Sequence, residues 1–216
     1  LRREGLVRRS LKGESWYLAT EELDRIPDLP LVEWLARSEI DGLGQALQRH
    51  ARLLALIGDQ ATDAEIEGIL RWIGEDGGDA ELPLDARVGT QRLLSAGVIR
   101  RDSQGRHAYR HAIFGQTLVR DAPEDFRALV HLAAVRYYRS ADVLDEGRRL
   151  SQLAVHAAAA GLAEEVAGVF FMLAERARAW HAYVNAERLY TRVLELPGLS
   201  SADRAAAHRG RGLMRC

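Results

Sequence analysis

Two histidines and a run of arginines are the residues most open to a chemical reading. His107 and His111 stand four apart, which places them on one face of an extended strand and could begin a metal pair. A zinc site needs further ligands, and no cysteine or third histidine lies near them, so no metal is expected. His111 also reads as a strand-end histidine whose ring packs beneath the next helix. Arg100, Arg101, Arg106 and Arg110 are spaced to lay a hairpin on a phosphate backbone, with Arg87, Thr90 and Gln91 on a helix that could reach base edges. The same region carries Asp59, Asp63, Glu65, Glu67, Glu75, Asp76, Asp79, Glu81, Asp85 and Asp102, which offset those arginines. A DNA reader shows a one-sided basic surface, so nucleic acid is not the expected partner. The acidic stretch 74–79 lacks the spaced ligands of a calcium loop and reads as a connection. No nucleophile elbow, His-Glu-x2-His pair or Gly-x4-Gly-Lys-Ser/Thr loop occurs. No catalytic residue is assigned, and the chain is not expected to be an enzyme by itself.

The elements that must position these residues follow from periodicity and punctuation. Gly5-Leu6-Val7-Arg8-Arg9, with Gly13 and Tyr17, returns as Gly97-Val98-Ile99-Arg100-Arg101, with Gly105 and Tyr109, at an offset of 92 residues. Each copy reads as two short strands around a glycine-containing turn, with loops at 10–15 and 102–106. A helix over 84–96, stopped by Gly97, precedes the second copy. The proline-rich stretch 27–30 is a linker. From Leu31 the apolar residues Leu31, Trp34, Leu35, Leu47, Ala51, Leu54 and Ile57 keep helical spacing up to Gly58. Thr62 caps the next helix, with Glu65 three residues on as in a capping box. That helix carries Ile66, Ile69, Leu70 and Ile73. Helix, helix, helix and hairpin is the order of a winged helix-turn-helix. Beyond Ile113 only helices are read, at 113–120, 123–139, 147–160, 163–179, 182–196 and 201–214. Helices of this length with short turns are the units of an α-solenoid.

The expectation is therefore a mainly α chain with small β-hairpins. Residues 1–26 would end a preceding winged-helix-like unit, 31–121 form a winged-helix domain, and 123–216 form helical repeats. The chain begins without methionine and both ends cut through such units, so it reads as part of something larger. Its 216 residues are 47% hydrophobic and 28% charged, with net charge −1, ordinary for a folded chain and without pull toward nucleic acid or anionic membrane. No apolar run is long enough to span a bilayer, no signal peptide opens the chain, and the single cysteine is Cys216. A cytoplasmic protein with no membrane partner is expected. Lys12 is the only lysine among 30 basic residues, and such a bias fits a GC-rich bacterial genome.

Two resemblances sharpen this reading. Phe170, Leu173, Ala174, Ala177, Ala186 and Tyr190, with Val193 and Pro197 after them, resemble a tetratricopeptide repeat. Leu173, Ala174, Ala177, Ala186 and Tyr190 would then be buried between adjacent helices. Tyr109-Arg110-His111-Ala112 and Val119-Arg120, followed by Arg127, His131, Ala134, Leu153, His156 and Gly161, resemble bacterial signal-transduction ATPases with numerous domains (STAND proteins). In those a winged helix ends in an aromatic-Arg-His motif and helical repeats follow. Leu29-Pro30-Leu31-Val32-Glu33-Trp34-Leu35 resembles the approach to this unit in bacterial serine/threonine kinases that carry such a module.

The resemblance implies a regulatory and protein-interaction segment of a multidomain signalling ATPase or kinase. Its winged helix would control an upstream nucleotide-binding domain, and its repeats would sense a protein or peptide. It further implies that His111 sits where the family touches the phosphate of bound ADP, although the following residue is Ala112 and not the frequent Asp. No cofactor is expected in this chain itself, with ATP or ADP belonging to the nucleotide domain. A DNA-binding module of a transcription regulator and a structural scaffold are the alternatives.

Overall fold

A computed structural model describes residues 7–9, 16–18, 31–76, 83–140 and 145–214. In chain order these form β1 (Val7–Arg9), β2 (Trp16–Leu18), α1 (Leu31–Asp41), α2 (Gln45–Ile57), α3 (Asp63–Asp76), α4 (Ala86–Ser95), β3 (Ile99–Arg101) and β4 (His107–Tyr109). The chain continues through α5 (Ala112–Arg120), α6 (Glu124–Ser140), α7 (Glu146–Ala159), α8 (Ala163–Ala179), α9 (Tyr183–Glu195) and α10 (Ser201–Leu213). The chain is mainly helical, as its periodicity implies. The linker at 27–30, the loop at 10–15 with Lys12, and the end of the acidic loop from 77 lie outside the described residues. No described helix is long and apolar enough to cross a membrane.

The chain divides into two compact units. One comprises Leu1–Thr62 and Pro83–Ala122, the other Asp63–Leu82 and Pro123–Cys216. Helix α3, read from sequence as the middle helix of a winged helix, thus groups with the helices that follow Pro123.

In the first unit α5 packs against α1 and α2, and α4 against α2. Buried Leu53, Leu54, Ile57, Leu93, Ile99, Phe114 and Leu118 form its interior. Helix α4 starts at Asp85, whose carboxylate accepts the amides of Arg87 and Val88 at 3.0 and 3.2 Å. Gly97, at φ +71, ends it and turns the chain into β3. The β3–β4 ladder pairs Ile99 with Tyr109 and Arg101 with His107, and Ala61 exchanges backbone hydrogen bonds with His107 on the far side of β4. Tyr109 closes the hairpin onto α2 by donating its hydroxyl to the Ala51 carbonyl.

The second unit is a succession of helices, α6 to α10, each lying against the next, with α3 against α6. The two approach closely because Gly68 leaves room for the Tyr137 ring. Glu65 is buried there, and its carboxylate accepts the Tyr138 hydroxyl at 2.8 Å and the Arg148 guanidinium at 3.1 Å. A buried carboxylate needs both, because unpaired it would be strongly disfavoured away from water.

The helical run expected from Leu31 to Ile57 is two helices. Gly42, Leu43 and Gly44 break it, because two glycines in three residues lose the helix's backbone entropy balance. The hairpin echo also slips. Strands β1 and β3 keep the offset, but β2 pairs Leu18 with Val7 while β4 pairs Tyr109 with Ile99. The first loop is one residue longer, so Tyr17 and Tyr109 hold different register positions.

Candidate functional site

Helices α7, α8 and α9 enclose a trough of about 1130 Å³ in the second unit. Helix α8 supplies its floor through Phe170, Leu173, Ala177 and Trp180, which recur at helical spacing on one face. Helix α7 supplies one wall from Ser151, Ala154, Val155 and Ala158, an uncharged stripe of small side chains. The opposite wall is α9, with Asn185, Arg188, Leu189 and Arg192.

Local sequence sets each helix in place. Asp145 caps α7 by accepting the Arg148 amide at 3.1 Å. The three residues Ala160, Gly161 and Leu162 then reverse the chain, with Gly161 at φ +73 and the Leu162 amide donating to the Ala157 carbonyl. Trp180, His181 and Ala182 repeat that turn, with the Ala182 amide donating to the Ala177 carbonyl, but His181 occupies the left-handed position at φ +58. Its Nδ1 lies 2.7 Å from the Tyr183 hydroxyl. Behind the floor, Ala174, Ala186 and Tyr190 are buried and lock α8 to α9. Tyr190 donates to Glu175, which Arg178 also holds at 2.6 Å. Those two donors, Tyr190 first, keep the Glu175 carboxyl below the usual carboxylate range.

Apolar surface is left open along the trough. Val155 is 58% exposed and Trp180 76% exposed. Arg176 pairs with Glu146 at 2.8 Å. Arg188 and Arg192 form no ion pair among the described residues. One wall is therefore apolar and the other carries two cations, Arg188 and Arg192, flanked by the carboxylates of Glu187 and Glu195.

The sequence placed Leu173 and Ala177 between helices. Both are half-buried and line the trough, because α7 and α9 flank α8 without closing over it. Ala174, Ala186 and Tyr190 are buried as expected. Arg188, Arg192 and Val155 went unmarked in sequence. Their signal was present: Arg188 and Arg192 are i,i+4, and Ser151, Ala154, Val155 and Ala158 are a small-residue stripe at helical spacing.

The first unit gathers some of the residues read from sequence and separates others. Arg100 and Arg110 share an open groove of about 670 Å³ with Asp59, Tyr109, Gly115 and Arg120. Arg110 lies across Gly97. Arg101 folds over the hairpin turn, its Nε donating to the Gly105 carbonyl at 3.3 Å. Arg106 is held by Asp102 at 2.9 Å, and Asp102 also accepts the Gln104 and Arg106 amides. Arg87, exposed on the first turn of α4, is not part of that groove.

His111 is exposed at the N-cap of α5, its ring tilted against Phe114 at 6.1 Å with no side-chain cap bond. It does not share a strand face with His107, because β4 ends at Tyr109 and His107 is buried. Among the described residues no group of three or more metal-ligating side chains comes together.

No protein-family model matches the chain, and neither a curated protein nor a solved structure matches it.

Proposed function

We propose that the chain is a regulatory and protein-interaction segment of a signalling protein, and that the α7–α9 trough receives a segment of a partner protein. The observation that carries this reading is the trough itself, a concave surface with an apolar floor in which Trp180 stands 76% exposed. Open apolar surface of this kind, rimmed on one side by charged residues, is the usual feature of a protein-binding face. Its likeness in sequence to STAND proteins supports placing the first unit against a nucleotide-binding domain, with the exposed His111 available to it. A DNA-binding role draws less support, since Asp102 holds Arg106 and Arg87 lies apart from the Arg100–Arg110 groove.

The test is selection from a random-peptide display library on the folded chain, with the Val155→Glu, Ala158→Glu variant as counter-target. Both positions are exposed, so the variant is expected to fold. Enriched peptides should bind the wild-type chain at least about tenfold more tightly than the variant, a difference of about 1.4 kcal/mol. Enriched peptides that bind both alike, or no enrichment, would contradict the reading.

A further inference from the structure

Resting on that reading, we infer that the occupant of the α7–α9 trough is an acidic amphipathic helix from a partner protein. Three features specify it. The first is width. Helices packed side by side stand roughly 8–10 Å apart, so two helices flanking a third leave a trough about one helix wide. The second is length. From Phe170 on α8 to Trp180 at its C-cap the floor runs ten residue steps, roughly 15 Å at the helical rise, which matches about three turns of a bound helix. Such a helix would present apolar anchors at i, i+4 and i+7 to Leu173, Ala177 and the exposed Val155.

The third is charge. The α7 wall carries no charged residue, so it orients the apolar face of the occupant. Across the floor stand Arg188 and Arg192, exposed and without an ion pair among the described residues. They lie one turn apart, so they match two carboxylates spaced i,i+4 on the facing side of the bound helix. Glu187 and Glu195 also line the trough, which confines the cationic stretch to the middle of α9 and fixes where those carboxylates sit. Arg176 is already committed to Glu146. A basic helix would meet two arginines across a partly desolvated trough, and like charges there are repelled.

The experiment uses three synthetic helical peptides of about 15 residues, near the length at which isolated helices become stable. All carry leucine at i, i+4 and i+7. One has glutamate, one glutamine and one lysine at the two flanking positions. Their binding to the wild-type chain and to Arg188→Glu, Arg192→Glu is followed by fluorescence anisotropy, with circular dichroism as the check on folding. The glutamate peptide should bind the wild type at least about tenfold more tightly than the lysine peptide, and the order should reverse in the variant. If the variant does not fold, the order glutamate, glutamine, lysine on the wild type decides alone.

Equal affinities for the three peptides, or none for the glutamate peptide, would overturn the inference. The display selection separates the two levels. Trough-dependent binders without carboxylates would sink the acidic helix and leave the interaction reading standing; no trough-dependent binder would sink both.

Discussion

His50 shows how one side chain sets both a packing distance and a pH response. Its ring is wholly buried, with Nδ1 3.2 Å from the Leu84 carbonyl and Nε2 3.4 Å from the Thr90 hydroxyl. A carbonyl only accepts, so Nδ1 carries the proton and Nε2 accepts from Thr90. The ring sits on Gly89, where an added Cβ would overlap it. Gly89→Ala is therefore expected to cost about 3 kcal/mol through overpacking. In a urea-denaturation cycle that cost should shrink when His50 is also alanine; strictly additive costs would show that the ring is not what Gly89 accommodates. Burial also lowers the His50 pKa from 6.5 to about 4, opposed in part by the Leu84 carbonyl and Asp85. His131 is lowered as well, by burial first and then by Arg127. Both bind protons more weakly folded than unfolded, so both stabilise less as pH falls; for His50 the contribution is complete above pH 6.5 and is lost as pH falls toward 4. For His50 alone the loss between pH 7.5 and pH 5 is about 2 kcal/mol. Urea midpoints that agree at the two pH values would contradict this.

At the scale of elements, the α7–α8 and α8–α9 turns are the same reversal built with different residues. Gly161 takes its left-handed position without strain, whereas His181 holds φ +58 with a Cβ present. A non-glycine residue there costs on the order of 1 kcal/mol, which the Tyr183 contact offsets in part. His181→Gly is thus expected to stabilise the chain by about 0.5 kcal/mol, read as a rise in thermal midpoint; a fall would mean the Tyr183 contact dominates. Helix α3 is secured differently. Glu65→Ala removes the acceptor for both Tyr138 and Arg148 and should cost about 3 kcal/mol, because Tyr138 is left buried without its partner. A loss under about 0.5 kcal/mol in urea would show that α3 does not depend on that pair.

These elements also show what the sequence could and could not convey. Turn residues report on neighbours within a few positions, so the limits of α8 at 163 and 179 were legible to the residue, even though Leu162 makes no side-chain cap there. The grouping of α3 with α6 was not, because Glu65 and Gly68 act through Tyr137, Tyr138 and Arg148, more than sixty positions away. The trough was half legible. The likeness to a tetratricopeptide repeat put Leu173 and Ala177 between helices, but whether they are covered depends on how far apart α7 and α9 stand.

For the whole molecule, charge is balanced at −1 and every basic residue but Lys12 is arginine. Arginine's planar fork suits carboxylates, and most of the paired arginines here hold a carboxylate within the chain. Arg188 and Arg192 stand on the wall of the α7–α9 trough without such a partner among the described residues. That combination makes the trough, more than the hairpin unit, the place where recognition is expected. The direct measurement is a methyl and indole chemical-shift map of the chain on titration with a display-selected peptide. Perturbations should concentrate on Val155, Ala158, Ala177 and the Trp180 indole and saturate with one affinity. Shifts confined to β3, β4 and α5, or scattered without saturation, would contradict the account.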